Sequence, residues 1–243
     1  MISRCVILVI SFIVMSMQGS LFRVNSTTNF LIRFERSVPQ EDIRKLGDKF
    51  ELTYEKYQKR FGISLNRRIE VYVYNSPLRF HADSKSGLFN DGCFYKGKIY
   101  MMAPRQLQKD MKFESVLNRV VGRALLDGIK FCPAWLSECY SLYLGDNLMD
   151  FGKPAQVKVS GFEDLSEQYS TAERDKEVKE VYATMAVTGD FLVSRYGQKK
   201  MEEMLLQFAH GGTLEEIFES VFGENIDVIE NEWISELQLA VKE

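Results

Sequence analysis

At 243 residues, 45% of them hydrophobic, the chain is within the size at which one continuous hydrophobic core forms, and a single folded domain is the expectation. Lys and Arg total 31 against 34 Asp and Glu, a net charge of −3 with no single-sign block. That balance excludes the electrostatic footprint of a nucleic-acid-binding protein.

Arg4 precedes the mostly apolar run Cys5 to Met17, and the small residues Gly19 and Ser20 follow, which is the order of a secretory signal. Residues 1–20 are therefore read as a signal peptide and 21–243 as the mature domain. The run has 13 residues, fewer than the roughly 17 to 25 that a membrane-spanning helix needs. Export to a periplasmic or extracellular space is expected, with membrane attachment only through an uncleaved signal. If Cys5 leaves with the signal, Cys93, Cys132 and Cys139 remain, and this odd count implies one disulfide with a leftover thiol, or no bridge.

Phe30, Ile32 and Phe34 alternate with their neighbours as in a strand with one buried face. A helix follows, with Pro39 in its first turn, Ile43, Leu46, Phe50, Tyr54, Tyr57 and Phe61 on one stripe, and Gly62 as its C-terminal cap. Ile69, Val71 and Val73 predict a second strand, residues 75–91 a polar loop, and Cys93 to Met102 a hairpin turning at Lys96-Gly97. From Phe113 the pattern turns helical: Val116, Leu117, Val120, Val121, Ala124 and Leu125 form a broad apolar face, and Pro133 opens a helix carrying Trp135, Leu136, Tyr140 and Tyr143. Residues 147–172 read as a long loop. Helix returns near Arg174 and runs through Tyr182 to Gly197, with a shorter element at Met201 to Phe208. Thr213 and Glu216 then fit a capping box, and a last helix contains Trp233.

Chemistry concentrates in Val116-Leu117-Asn118-Arg119-Val120-Val121-Gly122-Arg123, joined by a short connection to Pro133-Ala134-Trp135-Leu136-Ser137-Glu138. This helix pair resembles the gluzincin metallopeptidases of the peptidase MA-like group. There a buried helix carries His-Glu-x-x-His, and a following Pro-x-Trp-Leu-x-Glu-Gly helix supplies a third zinc ligand. The resemblance extends over nearly all of the mature chain through Tyr182, Phe191-Leu192, Arg195-Tyr196-Gly197, Gly211-Gly212-Thr213 and Trp233, with its specific motifs confined to the two helices. It implies a zincin-like α+β fold: a small, mostly antiparallel sheet with one long helix in the N-terminal half, a helical C-terminal half, and a groove between them.

That family's chemistry needs two imidazoles four residues apart on one helical face and a carboxylate beside them to activate the metal-bound water. Here Arg119 and Arg123 fall on the two histidine positions and Val120 on the general-base position. Guanidinium groups, protonated at any ordinary pH, donate no lone pair to a metal, and an isopropyl group takes no proton. Glu138 alone keeps its presumed ligand position, and Cys139 replaces the glycine after it. The resemblance puts Tyr182 where it would face the metal cleft, while its spacing suits an ordinary core tyrosine, the reading preferred here.

For Arg119 and Arg123 the alternatives are a solvated helix stripe or a cleft-facing pair. For Glu138 they are a surface carboxylate or a bridge to one or both guanidiniums in the space of the metal. His81 and His210 read as surface residues. A zinc site rebuilt from Cys93, Cys132, Cys139 and Glu138, or a Cys–His pair using His81, ranks below these. The expectation is a non-catalytic, exported pseudopeptidase without metal or cofactor. Its inherited groove would bind a peptide, a protein partner or an anionic group, the arginines favouring a carboxylate or phosphate. The alternatives are an active hydrolase with relocated metal or cysteine chemistry, and a structural envelope protein with a filled groove.

Overall fold

Five strands and a long helix occupy the N-terminal half of the computed structural model, which describes residues 21–86, 90–146, 151–173 and 175–242. The signal reading of residues 1–20, with Cys5, lies outside those residues. Strand β1 (Phe22–Ser26) pairs with β2 (Phe30–Glu35), helix α1 (Gln40–Phe61) follows, and β3 (Ile69–Tyr74) leads through α2 (Pro77–Ser84) to the hairpin β4 (Gly92–Tyr95) and β5 (Lys98–Met102). The sheet order is β1-β2-β3-β5-β4. Its outer pairings are antiparallel, and its two inner ones, β2 with β3 and β3 with β5, are parallel.

The expected mostly antiparallel sheet is therefore corrected to a mixed one. The cause is connectivity: α1 carries the chain from the end of β2 back to the start of β3, and such crossovers return strands in parallel. Alternation puts Phe30, Ile32, Phe34, Val71, Val73, Ile99 and Met101 on one face, all fully buried. Above that face lie α1 and α4 (Phe113–Leu126), the latter reached through a short helix α3 (Pro104–Lys109). Helix α1 ends where Gly62 takes a left-handed conformation at φ 66°, and the hairpin turns on Lys96 and Gly97 at φ 49° and 75°. Two positive φ values in a two-residue loop match the right-handed twist of the strands they join.

Two differences from the sequence reading involve loops that contain helices. The polar stretch 75–91 holds α2, which Ser76 caps by accepting from the Arg79 N–H, with Pro77 in the first turn and Phe80 fully buried. The stretch 147–172 holds α6 (Phe162–Thr171), anchored by buried Phe162 and Leu165. Each has a narrow apolar stripe, too few residues to set a helical period over a longer window.

The second half continues from α5 (Ala134–Leu144) and α6 through α7 (Asp175–Tyr196), α8 (Gln198–Gln207), α9 (Leu214–Phe222) and α10 (Ile226–Lys242). Phe162 stacks on Trp135 at 5.1 Å and on Trp233 at 4.7 Å, tying α5, α6 and α10 together. The Trp233 indole N–H donates to the Thr188 hydroxyl at 3.0 Å, which keeps its one polar atom satisfied in full burial. Both bonds of the Thr213–Glu216 capping box are present. Helices α5 and α7 approach so closely that a Cβ on Gly189 would stand 2.3 Å from the Cys139 carbonyl oxygen. Among the described residues no helix is long and apolar enough to cross a membrane, and Cys93, Cys132 and Cys139 are free thiols.

Candidate functional site

Helix α4 is enclosed on nearly every side, which determines where its two arginines go. Val116 and Val120 press against Gly92 of β4, where an added Cβ would meet the Val116 methyl at 2.4 Å, and Gly122 faces Leu144 of α5. With α1 and the sheet covering another side, Glu114, Ser115 and Asn118 near the start of α4 reach solvent, and the turns that carry Arg119 and Arg123 do not. Arg119 is 3% exposed and Arg123 8%. The solvated-stripe alternative is thereby removed, and so is the surface alternative for Glu138, which is 5% exposed.

Arg123 Nε donates to Glu138 Oε2 at 3.1 Å, and its Nη1 reaches Asp127 Oδ1 at 3.5 Å. The Tyr169 hydroxyl of α6 donates to the same Glu138 oxygen at 3.4 Å. Burial opposes the charge on Arg123, but the Glu138 carboxylate, with help from Tyr169 and Asp127, more than offsets it and holds the guanidinium above its ordinary pKa. The Phe94 ring of β4 lies 5.5 Å from the Arg123 guanidinium carbon.

Arg119 takes another course. Its Nη2 donates to Asn90 Oδ1 at 2.7 Å and to the Gly92 carbonyl at 2.6 Å, while Nε and Nη1 are buried with no hydrogen-bond partner. Its guanidinium carbon stands 5.1 Å from the centre of the Phe151 ring. Glu138 thus bridges one arginine, not both.

Tyr182, read from its spacing as core, packs against the hydrophobic core and also borders this cluster. Its ring meets Phe151 at 5.3 Å and Tyr169 at 6.4 Å, and its hydroxyl feels both Glu138 and Arg119. Burial above all, then Glu138, keeps Tyr182 protonated well beyond the usual tyrosine range, and the same two causes act on Tyr169. Cys93 on β4 is pushed up to about 12 chiefly by burial, so it is a neutral thiol here. Val120 is buried against Gly92 and offers no polar atom to the cluster.

Sequence reasoning missed Asn90, Phe151 and Tyr169. Asn90 and Phe151 sit in stretches read as loop, and nothing in the spacing linked Tyr169 to Glu138. The two guanidiniums donate no lone pair, the isopropyl group of Val120 takes no proton, and the Glu138 carboxylate is paired with Arg123. Among the described residues no three His, Cys, Asp or Glu side chains converge on a point.

A concavity of about 770 Å³ lies elsewhere, where α5, α6, α9 and α10 begin, and its rim is acidic. Its carboxylates have local work: Glu230 accepts from the Phe162 N–H at 2.6 Å, and Asp164 accepts from the Ser160 N–H at 2.9 Å. Negative charge at helix N-termini compensates the helix dipoles, which accounts for the rim without a bound cation. No protein-family model matches the chain, and no curated protein matches it.

Proposed function

We propose that this protein is a non-catalytic relative of the gluzincin peptidases, zincin-like in fold. It binds a peptide or protein partner, or an anionic group that such a partner carries, in the cleft where those enzymes hold zinc. One observation carries the reading: the Arg123–Glu138 ion pair, at 3.1 Å, joins the position of the second histidine to that of the third ligand. A pair of residues that would share a metal in an enzyme are joined by a charge-assisted hydrogen bond instead. The mixed sheet, with β4 as an antiparallel edge beside α4, and the helix following α4 that brings Glu138 back to it, support the same reading.

Hydrolysis by a metal-bound water has no base in this arrangement, since Val120 stands where that base would be. Export rests on residues 1–20 alone and is proposed from their pattern. Metal analysis of the purified chain, paired with an assay for peptide cleavage, tests the reading: sub-stoichiometric zinc and no cleavage are expected. One tightly held zinc per chain, lost together with activity in a chelator, would overturn it.

A further inference from the structure

Among the described residues the buried cluster contains one positive charge with no counter-ion. Arg123 is balanced by Glu138 and assisted by Asp127. Arg119 forms no ion pair with any described residue: its two hydrogen bonds run to neutral oxygens, those of the Asn90 amide and the Gly92 carbonyl, and both leave from the same nitrogen. Nε and Nη1 remain buried and unpartnered. The protonated Cys93 and Tyr182 that share its surroundings are neutral and supply no negative charge. An isolated ion removed from water is among the least favourable things a protein interior can hold, and native structures pair such groups or use them. Water can satisfy the three N–H donors on those two nitrogens, but it leaves the charge uncompensated.

We propose that Arg119 is the receptor for a single carboxylate, presented by a ligand lodged between β4, α4 and α7. The inference rests on the reading of that cleft as a binding site and specifies what it binds. Charge selects carboxylate over phosphate. Arg123 is already paired with Glu138 and Asp127, so the charge left to neutralise is the single one on Arg119, which one carboxylate matches. A phosphate monoester, at about −1.5 to −2 near neutral pH, would put surplus negative charge beside Glu138. Asn90 is the positioning residue: its Oδ1, which also accepts from the Gly92 N–H at 3.3 Å, fixes Nη2 and leaves the other nitrogens to the ligand.

Sodium acetate is the probe, titrated into the full chain against sodium chloride at constant ionic strength, with two readouts: thermal midpoint and the arginine side-chain N–H resonances of ¹⁵N-labelled protein. The midpoint is expected to climb with acetate, and the Arg119 Nε–H resonance to shift saturably while that of Arg123 moves little. Arg119→Met is expected to bind acetate at least tenfold more weakly, and the thermal readout on the unaltered chain stands if that variant fails to fold. A blocked alanine tripeptide with a free terminal carboxylate, compared with its amide carrying one glutamate, separates a chain terminus from an acidic side chain as the source. Indifference to acetate beyond chloride in both readouts overturns the proposal. Tighter binding of inorganic phosphate than of acetate overturns the choice of carboxylate. Zinc content on the same sample keeps the two readings distinct. Stoichiometric zinc removes the pseudopeptidase reading, whereas zinc-free protein that ignores acetate removes the carboxylate receptor alone.

Discussion

Replacing Glu138 by leucine tests whether the buried ion pair holds α5 against α4. Both partners are almost fully buried, so the substitution leaves the Arg123 guanidinium inside with Asp127, a side chain 46% exposed and 3.5 Å away, as its one anionic partner among the described residues. Removing one partner of a buried pair costs roughly 3–5 kcal/mol. The remaining contact to Asp127 places the loss near the lower end, about 3 kcal/mol, which for a domain of this size corresponds to a fall of roughly 6–12 °C in Tm. Urea unfolding followed by circular dichroism measures it, with the m value unchanged if the fold is retained. The second arm is Arg123→Met in the same background. Replacing the whole pair by apolar groups of similar volume is nearly neutral, so the double variant should recover to within about 1 kcal/mol of the parent. A loss below about 1 kcal/mol in Glu138→Leu, or strictly additive losses in the double variant, would refute the reasoning.

Three further outcomes are expected. The triple substitution Arg119→His, Val120→Glu and Arg123→His, with Glu138 in place, should gain one zinc per chain by colorimetric titration, since residues four apart share a helical face; a folded triple variant without zinc affinity would sink the family resemblance. Burial pushes the Cys132 thiol up to about 11, opposed only in part by the Ser137 hydrogen bond and Arg123. At pH 8 its thiolate is therefore about 100-fold rarer than that of an ordinary cysteine, and a disulfide reagent should label it slowly until urea unfolds the chain; labelling as fast as free cysteine would contradict that environment. Burial likewise raises Tyr57, against Arg60, to about 12, and raises Tyr196 to about 12. The folded state then keeps protons that the unfolded chain releases near pH 10, so this stability is complete below about pH 10 and is lost as pH rises toward about 12; Tyr57→Phe should flatten that decline, and an unaltered alkaline profile would count against it.

The parts of the fold most legible in the sequence were those with long, regular apolar periods. Helix α1 showed its stripe from Ile43 to Phe61 and its glycine stop, and the Lys96-Gly97 turn marked the β4–β5 hairpin. Strand β1 gave no signal because it is an edge strand whose Arg23, Val24 and Ser26 alternate poorly between inside and outside. Parallel pairing was hidden because it depends on how crossovers pack, and a single strand's residues do not encode it. At the site, spacing put Arg119 and Arg123 on one helical face, and only the family resemblance brought Glu138 to them. Neither gave any means of seeing that Glu138 pairs with Arg123 and leaves Arg119 to Asn90, since the partner there comes from the approach to β4, far away in the chain.

The missing side chain at Gly189 has a mechanical meaning. With backbone lying on backbone, α5 and α7 have no cushion of flexible atoms between them, and a shift in one is transferred directly to the other. Cys139, at that point of contact, is the neighbour of Glu138, and Gly189 stands two turns beyond Tyr182 on the same side of its helix. Under the proposed binding role, a ligand that displaced Tyr182 would therefore press on the helix that carries Glu138.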